Sequence, residues 1–424
     1  MNVNRRAKNR PTVPSGWRWV ELGEVCDFVR GVTFDKAQMR TLPASGFTSV
    51  LRAGNIQDAL NTCDDLIWVP EAMIDKEQYL RAGDVAICLS SGSASVVGKT
   101  AYCAEDTKSS VGAFCGILRA RGALDNRYLS FWLRSKDYQA WRDLQARGTN
   151  IQNLRFSEIS KIHLPLPPLS EQKRVAAILN RQMTAIEKAR AAAEDQLKAA
   201  NALAIAYYKK EFGNITPLSV RANPAQTTPG WKWRLLKDVA RLESGHTPSR
   251  YHPEWWGGDI PWLALPDIRG LDGRYAFETR ECTNPDGIDN SSARILPAGT
   301  VCFSRTASVG YVTVLGRPMA TSQDFVNWVC GPDLDPEFLM HLFLYSREYF
   351  ISLASGAIHK TVYMPTVKKL SILAPGIREQ KRIAAVLNEQ IASAERLRND
   401  IEKQLHEINA LPAALLRRAF SGEL

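Results

Sequence analysis

The chain has 424 residues, 45% of them hydrophobic, and a formal net charge of +10 with an isoelectric point near 9.2. This length allows two domains of about 150 residues with further elements beside them. No apolar run approaches the roughly 20 residues that a membrane-spanning helix needs, and the basic balance is compatible with a polyanionic partner.

Residues 1–13 form a basic, polar segment with no apolar core. This composition predicts a flexible basic arm and argues against a secretory signal. The eight cysteines include no CxxC pair and have no histidine cluster beside them. We therefore expect reduced thiols in a cytoplasmic protein, with neither a structural metal nor a cofactor.

Residues 14–167 are predicted to form a first globular, mixed α/β domain. Within it, SASVVGKT (residues 93–100) nearly matches the P-loop pattern GxxxxGK[ST], but Ser93 stands where the pattern requires glycine. That glycine lets the backbone turn so that its N–H groups face phosphate. We therefore predict a strand–turn–strand with a basic tip here and no nucleotide site.

Residues 168–213 are predicted to form a long helix with a coiled-coil seam. The seam positions follow steps of three and four, and all but one are apolar or small. At 1.5 Å per residue, the stretch from Glu171 to Phe212 would span about 63 Å. The seam consists of Ala176, Leu179, Met183, Ile186, Arg190, Ala193, Leu197, Ala200, Ala204 and Tyr207.

Residues 214–229 are predicted to be a linker, and residues 230–374 a second globular, mixed α/β domain. The second domain opens with GWKWRLLKDV, where the first opens with GWRWVELGEV. The stretch AGTVCFSRTASVGYVTV (residues 298–314) likewise parallels AGDVAICLSSGSASVVGKT (residues 82–100). The two domains therefore share an origin, although most of their residues differ.

Residues 375–424 repeat the first long helix. From Glu379 to Phe420 the chain aligns without a gap with Glu171 to Phe212, and 19 of the 42 positions are identical. Pro412 is expected to kink this helix near its end. Its seam consists of Ala384, Leu387, Ile391, Ala394, Arg398, Ile401, Leu405, Ile408, Pro412 and Leu415.

The duplication predicts an α+β fold in which two globular domains are separated by two long antiparallel helices related by a pseudo-two-fold axis. The alternative is that each helix packs only on its own domain. Arg190 and Arg398 occupy equivalent seam positions, each with glutamates three residues before and four after it. They are expected to form an ion-pair network that fixes the helix register, unless both guanidinium groups extend into solvent.

Several motifs resemble the conserved regions of type I restriction-modification specificity subunits. They are LPPLSEQKRVAAILN, LAPGIREQKRIAAVLN and the terminal RRAFSGEL, together with SGHTPSRYHPEWWGGDIPWLALPDI at residues 244–268. The resemblance implies a subunit without a catalytic site, in which each of two target recognition domains reads one half of a bipartite, asymmetric double-stranded DNA sequence. It also implies that the helices act as a ruler and as a docking surface. Two methyltransferase subunits that bind S-adenosylmethionine would dock there, and two motor-nuclease subunits would join for cleavage.

Within those domains, candidate DNA contacts follow from side-chain chemistry. Base edges are read by Arg, Lys, Asn and Gln, while Ser, Thr and backbone N–H groups bind phosphate. In the first domain the candidates are Arg52, Asn55, Lys99, Thr100, Arg147, Thr149, Asn150, Gln152 and Asn153. In the second they are Ser249, Arg250, Tyr251, Arg305, His359, Lys360 and Tyr363.

The seam residues are the candidates for the helix pairing and for subunit docking. Two other functions stay open from the residues alone: a coiled-coil DNA-binding scaffold without a restriction role, and a self-contained restriction-modification enzyme. The second would need catalytic motifs, and we find none in the sequence. The first does not require the two globular domains to differ.

Overall fold

A computed structural model describes residues 13–57, 59–93, 95–146, 153–222, 228–356 and 360–424. The chain divides into two compact units. The first comprises residues 1–194 with 403–424, and the second comprises residues 195–402. Each long helix therefore contributes one part to each unit.

The first unit begins with a short strand that pairs with the strand directly before the long helix. Its described helices and strands are β1 (Arg18–Glu21), α1 (Leu22–Val25), β2 (Cys26–Arg30), β3 (Phe47–Leu51), β4 (Ile67–Pro70), β5 (Val85–Cys88), β6 (Thr100–Tyr102), β7 (Ser109–Val111), β8 (Cys115–Ala120), α2 (Asn126–Trp132), α3 (Lys136–Ala146), α4 (Phe156–Ile159), β9 (His163–Leu166) and α5 (Leu169–Phe212).

Two sheets form the body of this unit, in the strand orders β2-β8-β5-β6 and β4-β3-β7. Strand β5 reads VAIC and is buried on both faces, as expected for a central strand. It pairs with β6 in antiparallel register, with Val85 opposite Tyr102. The strand–turn–strand predicted at residues 93–100 is thus a hairpin in which β5 ends before this stretch and β6 begins at its last residue.

The second unit repeats this plan with its own insertions. Its described helices and strands are β10 (Leu218–Ser219), β11 (Lys232–Leu235), α6 (Leu236–Val239), β12 (Ala240–Ser244), β13 (Trp256–Leu263), α7 (Leu265–Leu271), β14 (Arg274–Ala276), β15 (Cys282–Thr283), α8 (Pro285–Asp289), β16 (Val301–Ser304), β17 (Val312–Leu315), β18 (Ala320–Thr321), β19 (Phe325–Cys330), α9 (Pro336–Tyr345), α10 (Arg347–Leu353), α11 (Met364–Val367), β20 (Ser371–Ala374) and α12 (Ile377–Phe420).

The main sheet of the second unit has the order β12-β19-β16-β17-β14, and smaller sheets have the orders β15-β13-β18 and β10-β20-β11. Strands β12, β19, β16 and β17 correspond to β2, β8, β5 and β6 of the first unit. Helix α9 packs on this sheet through Phe338 and Phe343, which are fully buried. The predicted mixed α/β character of both domains is confirmed.

The last residue of α5 packs in the second unit, and the last residue of α12 packs in the first. Phe420, at the end of α12, contacts Tyr128 of the first unit with ring centroids 5.3 Å apart. Phe212, at the end of α5, contacts Phe338 of the second unit at 5.7 Å. Because the start of each helix therefore lies beside the end of the other, the pair is antiparallel, as predicted.

The predicted heptad seam is also the buried face of both helices. Leu179 and Leu387 are fully buried, Met183 and Ile401 are 5% exposed, and most other seam positions are buried or half-buried. Only Arg190 and Arg398 are exposed. Helix α12 continues as an α-helix through Pro412 to Phe420.

The junction between each domain and its helix is built in the same way. Gln172 and Gln380, the second letter of the repeated EQKR, are 0% and 1% exposed. Gln172 Oε1 accepts from the N–H of Asp125 (2.7 Å), while Nε2 donates to two carbonyls, those of Ala123 and Pro167 (both 2.8 Å).

Gln380 makes the same three hydrogen bonds in the second unit. It accepts from the Asp335 N–H at 2.9 Å and donates to the carbonyls of Asp333 (3.0 Å) and Pro375 (2.9 Å). Asp125 and Asp335 are the N-caps of α2 and α9, so each glutamine ties the first turn of a long helix to the start of a domain helix. These glutamines are positioning residues that were not predicted from the sequence. Their repetition in EQKR at the start of both helices could have indicated this role.

Candidate nucleic-acid interface

One edge of the first unit collects three segments that are distant in sequence. The N–H groups of Leu89 and Ser90 both donate to the carbonyl of Phe114, at 2.8 and 3.0 Å. The N–H of Leu154 donates to the carbonyl of Leu89 at 2.7 Å, and Ser90 forms a β-bridge with Asn153. The candidate Asn153 is exposed at this edge, and the ring of Phe114 is 69% exposed.

The second unit has the same backbone arrangement with different side chains. The Arg305 N–H donates to the carbonyl of Asp324, and the Val362 N–H donates to the carbonyl of Arg305, both at 2.9 Å. Thr306 forms the β-bridge, here with Thr361. We call the residues Leu89, Ser90, Phe114 and Asn153 in the first unit, and Arg305, Thr306, Asp324 and Thr361 in the second, the reading node.

A glycine closes the hairpin beside the reading node in both units. Gly98 (φ +76°) donates to the carbonyl of Cys88 at 2.8 Å, and Gly310 (φ +98°) donates to that of Ser304 at 3.1 Å. A Cβ at either glycine would also lie within 2.8 Å of an arginine side chain. These positions therefore need glycine on two grounds, positive φ and lack of space. The loop between the closing residues is longer in the first unit (89–97) than in the second (305–309).

The candidates Lys99 and Thr100 line a cavity of about 280 Å³ in the first unit, together with Arg134 and Arg142. Lys99 Nζ lies 3.5 Å from Gln57 Oε1. The side chain of Arg134 has no ion pair among the described residues. We call this cavity, lined by Lys99, Arg134 and Arg142, the basic groove.

Two candidates of the first unit stabilise their own loop. Asn55 is 2% exposed, accepts from the Arg52 N–H (2.8 Å) and donates to the Asp64 carbonyl (2.7 Å). The Arg52 guanidinium donates to the Asp65 carbonyl at 3.0 Å and forms an ion pair with its carboxylate. Both polar atoms of the Asn55 side chain are therefore bonded inside the loop, and its contact with DNA stays a prediction.

Arg250 of the second unit is likewise occupied. It forms a two-pronged ion pair with Glu281, with both N–O distances 2.7 Å, and its guanidinium lies 3.8 Å from the ring centre of Trp256. The hydrogen bonds with Glu281 raise the pKa of Arg250 and lower that of the carboxyl. Arg250 thus braces a loop whose tip, Tyr251, is 96% exposed.

Ser249, beside this loop, lines an open groove with His252, Trp255 and Asn290. Its carbonyl accepts from the Trp256 indole N–H at 3.3 Å. The groove is therefore shaped by aromatic rings and by backbone groups held in place.

The candidates Arg305 and Lys360 belong to segments that are joined through the backbone in the second unit. The Ala307 N–H donates to the Lys360 carbonyl at 3.1 Å, and Ala307 has φ +58°, a backbone strain that tends to persist at functional sites. Arg305 Nη2 donates to the Gln323 carbonyl at 3.1 Å, whereas its buried Nε has no partner among the described residues. Tyr363, two residues after Thr361, is 53% exposed.

Five candidates lie outside the described residues, and their placement stays a prediction. They are Arg147, Thr149, Asn150, Gln152 and His359.

The seam residues face the interior of the chain. The buried seam residues include Leu179, Met183, Leu387 and Ile401. The half-buried ones include Ile186, Leu197, Ile391 and Leu405. They support the helix pairing, and a docking partner cannot reach the fully buried ones. The apolar side chains that the helices do expose include Ile205 (57%), Leu397 (46%) and Leu411 (48%).

The seam arginines form ion pairs within their own helices. Arg190 Nε lies 3.9 Å from Glu194, and Arg398 Nε lies 3.7 Å from Glu402. Their side chains are 51% and 44% exposed. The guanidinium groups therefore reach solvent, which is the alternative given for them from the sequence. Exposed pairs of this kind contribute about 0.3–0.5 kcal/mol each.

In the described part of the chain, no helix is both long and apolar enough to cross a membrane, and no group of His, Cys, Asp or Glu side chains is arranged to hold a metal ion.

The family model for the type I restriction modification DNA specificity domain matches the chain twice, at residues 14–194 and 229–407. The two matches cover most of the chain, each with one globular domain and at least half of the long helix that follows it. The chain therefore belongs to the type I restriction-modification DNA specificity family.

Curated relatives match it over almost their full length. The chain is 25% identical over 433 residues to the type I restriction enzyme StySPI specificity subunit of Salmonella potsdam, covering 98% of this chain and 91% of the relative. It is also 25% identical over 440 residues to the EcoKI specificity subunit of Escherichia coli strain K12, covering 97% and 90%.

Solved structures share the fold. The HsdS subunit from Thermoanaerobacter tengcongensis aligns with a TM-score of 0.62 at 19% identity, over 99% of this chain and 100% of that one. A chain from a structural study of complex assembly and conformational transition of the type I R-M system aligns with a TM-score of 0.68 at 20% identity, over 98% and 100%. At these identities the likeness concerns the fold.

Proposed function

We propose that this protein is the non-catalytic DNA sequence-specificity subunit of a type I restriction-modification complex, in which each unit reads one half of a bipartite, asymmetric DNA sequence. The observation that carries the proposal is the reading node: two units share one backbone arrangement at an exposed edge but present different side chains there. A protein that must bind two different sequences with one fold needs this combination of constant backbone and variable surface.

The charge of the chain supports DNA as the ligand. The net charge is +10, and the basic groove places three cationic side chains around one cavity. Cations of this kind bind phosphate regardless of sequence and supply the salt-dependent part of the affinity. A DNA partner supports a cytoplasmic location for the protein.

The partners are two methyltransferase subunits, which carry S-adenosylmethionine, and two motor-nuclease subunits. The outward faces of the helices are their docking surface in this proposal, with Ile205, Leu397 and Leu411 as exposed apolar contacts. These three side chains are exposed singly, and we select them because a docking face needs apolar contacts at its centre. Ile205→Glu with Leu397→Glu is expected to abolish co-purification with the methyltransferase subunit, while Leu42→Glu, at a 73% exposed site in the first unit, is expected to leave it unchanged.

The test of the function is reconstitution. The purified chain alone is expected to bind no S-adenosylmethionine and to methylate no DNA. Adding its methyltransferase subunit is expected to produce N6-methyladenine at one bipartite sequence. Methyl transfer by the chain alone, or methylation at a site that is not bipartite, would contradict the proposal.

A further inference from the structure

We infer that the reading node is where base identity is recognised in each unit, with Phe114 contacting the methyl group of a thymine in one half-site and Arg305 contacting a guanine in the other. This inference rests on the proposed function and adds to it the residues and the bases.

The backbone of the node is fixed and equivalent in the two units. In each unit, the first residue after the central strand donates its N–H to the carbonyl of the residue just before the neighbouring strand. Its own carbonyl accepts an N–H from the segment that precedes the short helix α4 or α11. The three segments join residues 89, 114 and 154 in the first unit and 305, 324 and 362 in the second. Side chains carried on such a frame are held in place before DNA arrives, which is what base discrimination requires.

The side chains of the two nodes differ in chemistry. The first unit places Phe114, 69% exposed, where the second places Asp324. An apolar ring matches the C5 methyl of thymine, the one apolar group at a base edge of the major groove. The carbonyl of Phe114 accepts two N–H groups, so the ring projects from a backbone that cannot easily withdraw.

In the second unit the node carries Arg305 in place of Leu89. One donor of its guanidinium is held by the Gln323 carbonyl, which orients the group, and its Nε is buried and therefore cannot reach DNA. Nη1 forms no hydrogen bond among the described residues, so Nη1 and the second N–H of Nη2 are the donors left for a base. Paired donors of arginine match the O6 and N7 acceptors of guanine.

The experiment uses the full chain assembled with its methyltransferase subunits and a duplex that carries the methylated sequence. For the first unit, each thymine of the half-site that this unit reads is replaced by deoxyuridine, which lacks only the methyl group. One replacement is expected to weaken wild-type binding about fourfold, the factor for burying one such group. The same replacement is expected to have no effect on Phe114→Ala, and its full effect on the control Leu42→Ala.

For the second unit, Arg305→Ala and Arg305→Lys are both expected to lose roughly 10- to 100-fold of the preference for one guanine. Arg280→Ala, which removes another largely exposed arginine, is expected to keep that preference. The other half-site should be unaffected in every case.

Three results would overturn the inference. The first is a deoxyuridine effect that persists in Phe114→Ala, and the second is an Arg305→Lys complex that keeps its guanine preference. The third is an Arg305→Ala complex whose affinity falls by the same factor for every sequence and whose salt dependence is shallower, because that result would indicate a phosphate contact. If the wild-type complex methylates a bipartite site while the node variants leave both half-sites unchanged, the node is refuted and the proposed function stands. If the wild-type complex methylates no bipartite site, the proposed function itself fails.

Discussion

Replacing Gln172 by leucine is expected to loosen the contact between the first domain and the start of α5 and to leave the second unit intact. The side chain is fully buried and makes three hydrogen bonds. Leucine has a similar size but leaves the Asp125 N–H and two carbonyls without their partner. An unpaired buried polar group costs about 1–3 kcal/mol, and part of this is offset by the apolar gain, so we expect a loss of about 2–4 kcal/mol.

Chemical denaturation measures the free energy of unfolding, and amide hydrogen exchange locates the change. Exchange is expected to rise in α2 and at the start of α5, while α9 and the start of α12 keep wild-type rates. Gln380→Leu is the matched control, because it should produce the reverse pattern. A loss below about 0.5 kcal/mol, or equal changes in both units, would refute this account of the junction.

Gln172→Glu provides a second, pH-dependent test of the same junction. The introduced carboxyl would face two carbonyl oxygens, so its charged form is disfavoured and its pKa in the folded state is raised above about 4.3. The variant is therefore expected to be most stable below that pH and to lose stability as pH rises through the folded-state pKa. Equal pH profiles for this variant and the wild type would mean that the carboxyl escapes to solvent.

The remaining predictions concern the second unit, the modular organisation and the helices. Burial lowers the pKa of His341, whose Nδ1 and Nε2 form hydrogen bonds with neighbouring side chains at 3.1 and 2.8 Å. Since the unfolded chain binds the proton more readily, wild-type stability should fall as pH drops below about 6.5. His341→Phe, which installs the residue type found at Phe131 in the first unit, should flatten this pH dependence in denaturation experiments. Replacing residues 14–167 by the matching domain of another specificity subunit should change one half of the methylated sequence, and a change in both halves would argue against two independent readers. Inserting four residues into the helices, about 6 Å, should shift the spacing between half-sites by one to two base pairs, and unchanged spacing in the methylated sites would exclude a ruler.

The sequence determined the parts of this protein that depend on local pattern. Heptad spacing is set by residues three and four apart, so it predicted both long helices and their buried faces. It also located the two arginines at equivalent places in the seam, but it left open whether they form a network or extend into solvent. The duplication was visible because the two helices share 19 of 42 aligned positions, and it predicted two units and an antiparallel pair. Polar composition alone, however, could not separate a DNA-facing side chain from one that stabilises its own loop.

The tertiary structure decided which polar residues are free. Asn55 and Arg250 were reasonable DNA candidates by chemistry, but their partners, Asp64 and Glu281, are 9 and 31 residues away, and no local pattern reveals such pairings. Gln172 reads as one more polar residue on a helix, yet it lies where a strand, a loop and a domain helix meet, and only that meeting buries it. The reading node is also nonlocal, because strand order rather than sequence order brings residues 89, 114 and 154 together. Hydrogen bonds between distant segments therefore assigned the roles that composition had left open.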